Sequence, residues 1–176
     1  MSKKLPSREQ ALQLLRETHC SSKVIAHCEG VAELAKETAE ACQKKGIKVD
    51  LALVEIGAIL HDIGRSKTHS VDHAVVGAQI AETKGLPESV VAIIKRHVGG
   101  GITDAEAEKL GWPKDNYIPQ TIEEKIVSYA DKLVETSERV PIEPTIVKLR
   151  KEKREKAAER VMKLHNEISE LVGDKP

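Results

Sequence analysis

The chain contains no Phe, and aromatic residues make up only 2% of its 176 residues. Its hydrophobic share of 40% must therefore come mainly from Leu, Ile, Val and Ala, which suits close helix packing. The same scarcity removes the stacking platforms that single-stranded nucleic acid ordinarily needs. There is no charge excess either: 28 basic against 28 acidic residues leave a formal charge of +0, and no field to hold a polyanion. A small substrate is favoured over long DNA or RNA. Cysteine is limited to Cys20, Cys28 and Cys42, an odd set without CxxC spacing. That suggests neither a disulfide framework nor a zinc knuckle, and reduced thiols are the default reading. No apolar run is long enough to span a bilayer, and Met1-Ser2-Lys3-Lys4-Leu5-Pro6 lacks the apolar stretch of a signal peptide. The expectation is a soluble, cytoplasmic protein of one domain. No alternating strand pattern competes with helix and no internal repeat is visible, so the fold class expected is all-α.

What is present is helix punctuation. Ser7 with Gln10 forms a capping box opening a first helix to about Glu17, and Ser21 or Ser22 opens a longer one ending before Gly46. Asp50 caps a third, apolar almost all round from Leu51 to Ile63, as expected of a helix in the middle of a domain. Ser70 is expected to cap a fourth helix, Leu86-Pro87-Glu88 to start a fifth, and the Gly99-Gly100-Gly101 run to stop it. Thr103 with Glu106, and Thr121 with Glu124, make two further capping boxes. Residues 111–119 read as an irregular surface loop. Pro141 and Pro144 bracket a break, after which 145–172 read as one long helix. Its seam of Ala157, Val161, Leu164, Ile168 and Leu171 either packs back on the domain or pairs with a second copy.

Against this background His61-Asp62 stands out, because two strong metal ligands interrupt the buried run Ile59-Leu60-His61-Asp62-Ile63-Gly64. An unpaired carboxylate there costs several kcal/mol, unless the helix ends at once, as Gly64 would allow. His27, His73, His97 and Asp131 each fall on a segment of helical period, where Val24, Val31 and Leu34 share a face with His27. Imidazole nitrogen and carboxylate oxygen suit zinc, manganese, iron and similar ions, whereas calcium prefers oxygen alone. Neighbouring residues on a helix point about 100° apart, so His61 and Asp62 do not chelate one ion as simple neighbours.

The order His27, His61-Asp62, Asp131, with Ile63-Gly64 after the doublet, resembles the HD-domain metal-dependent phosphohydrolase superfamily over roughly residues 20–136. Asp72-His73-Ala74-Val75-Val76-Gly77-Ala78 and Ile94-Lys95-Arg96-His97 are similar to its dinuclear branch. The resemblance implies a helical bundle of about seven or eight helices, with an HD domain over residues 1–140 and a C-terminal helix over 141–176. It implies one or two divalent transition metal ions (Fe, Mn, Zn, Ni or Co). His27, His61, Asp62 and Asp131 would hold the first, and Asp62 would bridge to a second held by His73 and His97.

Two ions roughly 3.5 to 4 Å apart lower the pKa of a shared water and clamp an in-line displacement at phosphorus, the chemistry of phosphoester hydrolysis. Asp62 and Arg65 are the catalytic candidates, Arg65 because it matches a basic position in HD enzymes and its planar fork suits a phosphate oxygen. Lys67 and Arg96 are weaker candidates for the same duty, and His69 sits at the expected mouth. The partner expected is a small phosphorylated substrate, nucleotide-like by analogy. No membrane and no long nucleic acid are expected, and a homodimer through the C-terminal helix is one option. Two alternatives stand beside hydrolysis: a di-iron oxygenase built on the same ligands, and a metal-containing binding module. No Gly-Tyr-Pro motif follows His97, which argues against the cyclic-dinucleotide branch that carries it. The run 148–156 interleaves glutamates with its basic residues and reads as a solvated face. His19 and His165 lie away from the motif set.

Overall fold

The computed structural model describes residues 3–173; the expectations at Met1-Ser2 and for the last three residues of the C-terminal segment lie outside them. Among the described residues the chain is a bundle of α-helices: α1 (Arg8–Glu17), α2 (Ser22–Lys44), α3 (Leu51–Leu60), α4 (His73–Thr83), α5 (Glu88–Lys95), α6 (Asp104–Leu110), α7 (Ile122–Asp131), α8 (Glu143–Lys151) and α9 (Glu155–Val172). The three capping boxes are formed in full, each hydroxyl accepting the N–H three residues on while the Gln or Glu returns to the cap. Ser21 caps α2 and Asp50 caps α3. Pro87 precedes α5, where a missing N–H costs nothing.

At the centre α3 is buried from Ile56 to Leu60, packed between α2, α5 and α7. Its apolar circumference therefore reflects neighbours on every side. The apolar face of α9, Ala157, Ala158, Val161, Leu164 and Ile168, joins the same core as Ile126 and Ile59. The seam packs back on the domain.

Five local readings need correcting. Ser70 does not cap α4: the helix begins at His73 with Asp72 at its cap position, and the Ser70 hydroxyl instead accepts the Asp72 N–H. The Asp72 carboxylate is engaged by the Trp112 indole N–H at 2.7 Å. Residues 145–172 are not one helix, because Lys153 adopts a left-handed conformation (φ 59°) and separates α8 from α9. The turn lets Ile146 and Leu149 of α8 and the face of α9 both reach the core. Pro144 lies inside the first turn of α8 rather than at a break. A two-residue hairpin, β1 (Val134–Glu135) with β2 (Glu138–Arg139), is too short to show a strand period. Finally, the loop 111–119 is not all surface: Trp112 and Tyr117 are buried edge to face at 4.9 Å, with Ala74, Ile102 and Ala107 around them.

Candidate metal centre

The ends of helices deliver most of the polar side chains at the centre of the bundle. His61 caps α3 in helical conformation, and Asp62 follows at φ −101°, ψ 16°, where a 3-10 turn over Ile63–Ser66 takes over. The helix stops between the two, so both side chains reach one cavity. Asp131 is the last residue of α7, His73 the first of α4, and His97 lies just past the Arg96 cap of α5, while His27 projects from within α2.

The six residues converge. The Nε2 atoms of His27 and His61 lie 2.9 and 3.3 Å from Asp131 Oδ1, and 3.7 and 3.5 Å from Asp62 Oδ2. On the other side of the same carboxylate, Asp62 Oδ1 is 3.2 Å from His73 Nε2 and 3.3 Å from His97 Nε2. Two ligand groups result, His27-His61-Asp62-Asp131 and Asp62-His73-His97, with their ligand atoms within 4.8 Å of one another. Asp62 contributes one oxygen to each.

Each imidazole uses its other nitrogen in the same way. Nδ1 of His27 donates to the Thr136 carbonyl (3.0 Å), His61 to Ala58 (2.6 Å), His73 to Ser70 (2.7 Å) and His97 to Ile94 (2.6 Å). With the proton committed to Nδ1, a neutral ring turns an Nε2 lone pair inward. His73 Nε2 and His97 Nε2 then face each other at 3.0 Å, beside a buried Asp62 Oδ1 that no donor satisfies. Three lone pairs meeting without a proton repel, and a cation among them removes the conflict. The imidazole and carboxylate set therefore fits a transition metal ion.

The electrostatics agree for the two carboxylates and for His97, while His61 departs from the neutral form. Burial pushes the carboxyls of Asp62 and Asp131 up, but the surrounding imidazoles, and Lys132 beside Asp131, hold both well below the usual carboxylate range. Burial, the largest influence on His97, carries it down to about 4 and keeps the ring neutral. For His61 burial is opposed by Asp62, Cys28 and Asp131, which together lift it.

The first group opens into a cavity of about 490 Å³ that also reaches Arg65 and His69, whereas the side chains of His73 and His97 are 5% and 1% exposed and lie behind it. A larger groove of about 610 Å³ against α1 and α2 contains none of the six candidate ligands. Arg65 Nε donates to Asp62 Oδ2 at 3.1 Å and Nη1 to the His69 carbonyl at 3.1 Å. Arg96 belongs elsewhere: it forms a 2.6 Å ion pair with buried Glu124. Lys67 is exposed and does not line the cavity.

Sequence reasoning missed Lys132, whose Nζ holds Asp131 Oδ2 at 3.0 Å and the His97 carbonyl at 2.9 Å. Its position next to Asp131 was the available signal. It also missed Thr136, whose carbonyl fixes His27; a backbone contact across 109 positions leaves no trace in a sequence.

Residues 24–136 match the HD domain family. The chain belongs to that family. An uncharacterized protein of Methanocaldococcus jannaschii is 45% identical to this HD-domain chain over 166 residues, covering 93% of it and 98% of the relative. The tRNA (cytidine(56)-2'-O)-methyltransferase of Picrophilus torridus is 40% identical over 171 residues, and the match covers 97% of this chain but 49% of that enzyme. The chain thus spans about half the length of that methyltransferase. Among solved structures, the HD domain of the L. monocytogenes phosphodiesterase PgpH, determined alone and in complex with cyclic-di-AMP, superposes with a TM-score of 0.55 at 19% identity, covering 93% of this chain. It shares the HD fold.

Proposed function

We propose that this protein is a metal-dependent phosphohydrolase that cleaves a small, nucleotide-like phosphoester or phosphoanhydride. The observation that carries the reading is Asp62, a buried carboxylate that divides its oxygens between two ligand groups and leaves Oδ1 without a hydrogen-bond donor. His27, His61, Asp62 and Asp131 would hold one ion, and Asp62, His73 and His97 a second. Such ions, when bound, polarise phosphoryl oxygens and make water a nucleophile near neutral pH.

The remaining steps belong to the chain itself. Lys132 fixes one oxygen of Asp131 and so leaves the other directed at His27 and His61. Arg65 spends Nε on Asp62 and Nη1 on a carbonyl, which anchors its guanidinium at the cavity with N–H groups left for a non-bridging phosphate oxygen. That basic contact favours hydrolysis over oxygen chemistry on the same ligands. The PgpH HD domain, a phosphodiesterase crystallised with a cyclic dinucleotide, supports a nucleotide-like substrate by analogy of fold.

The test is elemental analysis of protein purified without chelator, alongside turnover of bis(p-nitrophenyl) phosphate under anaerobic conditions. His61→Ala and Asp62→Ala are expected to abolish both metal content and hydrolysis. Full activity in either variant overturns the assignment, and oxygen-dependent turnover of a phosphonate or polyol by an iron-loaded protein would transfer it to the oxygenase reading.

A further inference from the structure

The cavity over the first ligand group has a second side built from residues the HD domain match does not include. Lys23 comes from the first turn of α2 and Lys148 from α8, both outside residues 24–136, yet both line the same 490 Å³ space as His27, Asp62 and Asp131. Among the described residues neither lysine makes a salt bridge or a side-chain hydrogen bond, whereas the nearby arginines are matched: Arg150 with Glu155 at 3.3 Å and Arg154 with Glu152 at 3.8 Å. Glu152, one turn beyond Lys148, is thus engaged by another residue.

The rest of the lining narrows what these charges meet. Val24 and Val134 supply apolar wall, and no Phe, Tyr or Trp lines the cavity, so away from the His69 ring a nucleobase finds little to stack on. Binding energy on the lysine side of this rim therefore comes mainly from charge. The lining holds as many carboxylates (Asp62, Asp131 and Glu135) as cations (Lys23, Arg65 and Lys148), but Asp62 and Asp131 are engaged by Arg65, Lys132 and the imidazoles, which leaves Glu135 alone to face the two lysines. Arg65 is tied toward Asp62 and addresses a phosphate at the ligand groups, while the two lysines are free to turn toward a different anion.

We propose that Lys23 and Lys148 form a second phosphate subsite, making the site selective for small substrates that carry two phosphate groups. One phosphate would react at the ligand groups, and the other, unreacting, would be held at the rim, as in a nucleoside bisphosphate or a 5'-phosphorylated dinucleotide. This rests on the phosphohydrolase reading for the fate of the first phosphate, though not for the binding of the second. Lysine suits the second role, because a flexible ammonium accepts an anion without demanding the fixed geometry of an arginine fork. Since both lysines are exposed, the preference is expected to weaken as salt is raised.

The experiment compares binding of adenosine 3',5'-bisphosphate and adenosine 5'-monophosphate to the metal-loaded full chain by isothermal titration calorimetry. Wild type is expected to favour the bisphosphate by about 10-fold, the effect of one charge-assisted contact. Lys148→Gln and Lys23→Gln should each reduce that ratio, and the double variant should bring it to about 1. Lys84→Gln, exposed and remote from the cavity, should leave it unchanged, and circular dichroism checks that all variants are folded. No preference in wild type, or a preference that survives the double substitution, overturns the proposal. A preference carried by the lysines in a chain that hydrolyses no phosphoester supports the subsite and sinks the phosphohydrolase reading. Hydrolysis without the preference does the reverse.

Discussion

At the scale of single residues, Asp62 carries two duties that its neighbours separate. Its Oδ2 faces His27, His61 and Arg65, and its Oδ1 faces His73 and His97. Removing His97 should therefore disable one ligand group and spare the other. His97→Ala is expected to lower the metal content from about two ions per chain to about one, as read by plasma mass spectrometry, and loss of all metal would show that the groups do not act separately. Arg65 makes a different demand, because its Nε and Nη1 serve Asp62 and the His69 carbonyl at once. A lysine ammonium cannot reproduce that planar pair. Arg65→Lys should cost about 10-fold in kcat/KM with metal content unchanged, and a rate equal to wild type would remove Arg65 from the chemistry.

At the scale of elements, Gly64 sets how the 3-10 turn after Asp62 meets α4. A Cβ at this position would lie 1.9 Å from the His73 carbonyl oxygen and 2.7 Å from the Gly77 nitrogen, both backbone atoms. Neither can move without shifting α4, and α4 begins with His73. Gly64→Ala is thus expected to destabilise the fold by about 3 kcal/mol in urea denaturation and to lower metal content together with it. A stable, fully loaded variant would show the approach to be less tight than described. The same element shows what the sequence could and could not disclose. Gly64 was legible as a helix stop, but not as the contact surface for a later helix. The capping boxes at Ser7, Thr103 and Thr121 were legible because their partners lie three residues away. The six candidate ligands could be picked out because their types and order form a pattern, and the structure brings their side chains together. The reversal at Lys153, the Trp112 and Tyr117 cluster, and the arrival of Lys23 and Lys148 at one cavity were not, because each depends on contacts between distant segments.

At the scale of the molecule, the question is whether α9 is an appendage or part of the fold. Its buried face shares one hydrophobic core with α2, α3 and α7, and Tyr129 of α7 is hydrogen-bonded to His165 of α9. The seam read from sequence as a candidate dimer contact is occupied within the chain. No helix among the described residues is long and apolar enough to cross a membrane. If α9 belongs to a single cooperative unit, the Tyr129 phenol cannot ionise without opening the core. Burial, the largest influence, together with Glu143, raises it to about 12, against a lowering influence of the nearby Ser169 hydroxyl. Because the folded value lies above the unfolded one of about 10, the protonated phenol contributes stability that is complete below about pH 10 and lost as pH rises toward 12. Burial raises Tyr117 as well, so Tyr117→Phe is needed to observe Tyr129 alone. In that variant, tyrosinate absorbance is expected to appear together with loss of helical ellipticity, near the alkaline end of this window. A phenol titrating at about pH 10 while ellipticity is retained would mean that α9 undocks by itself, and that the core closes without it.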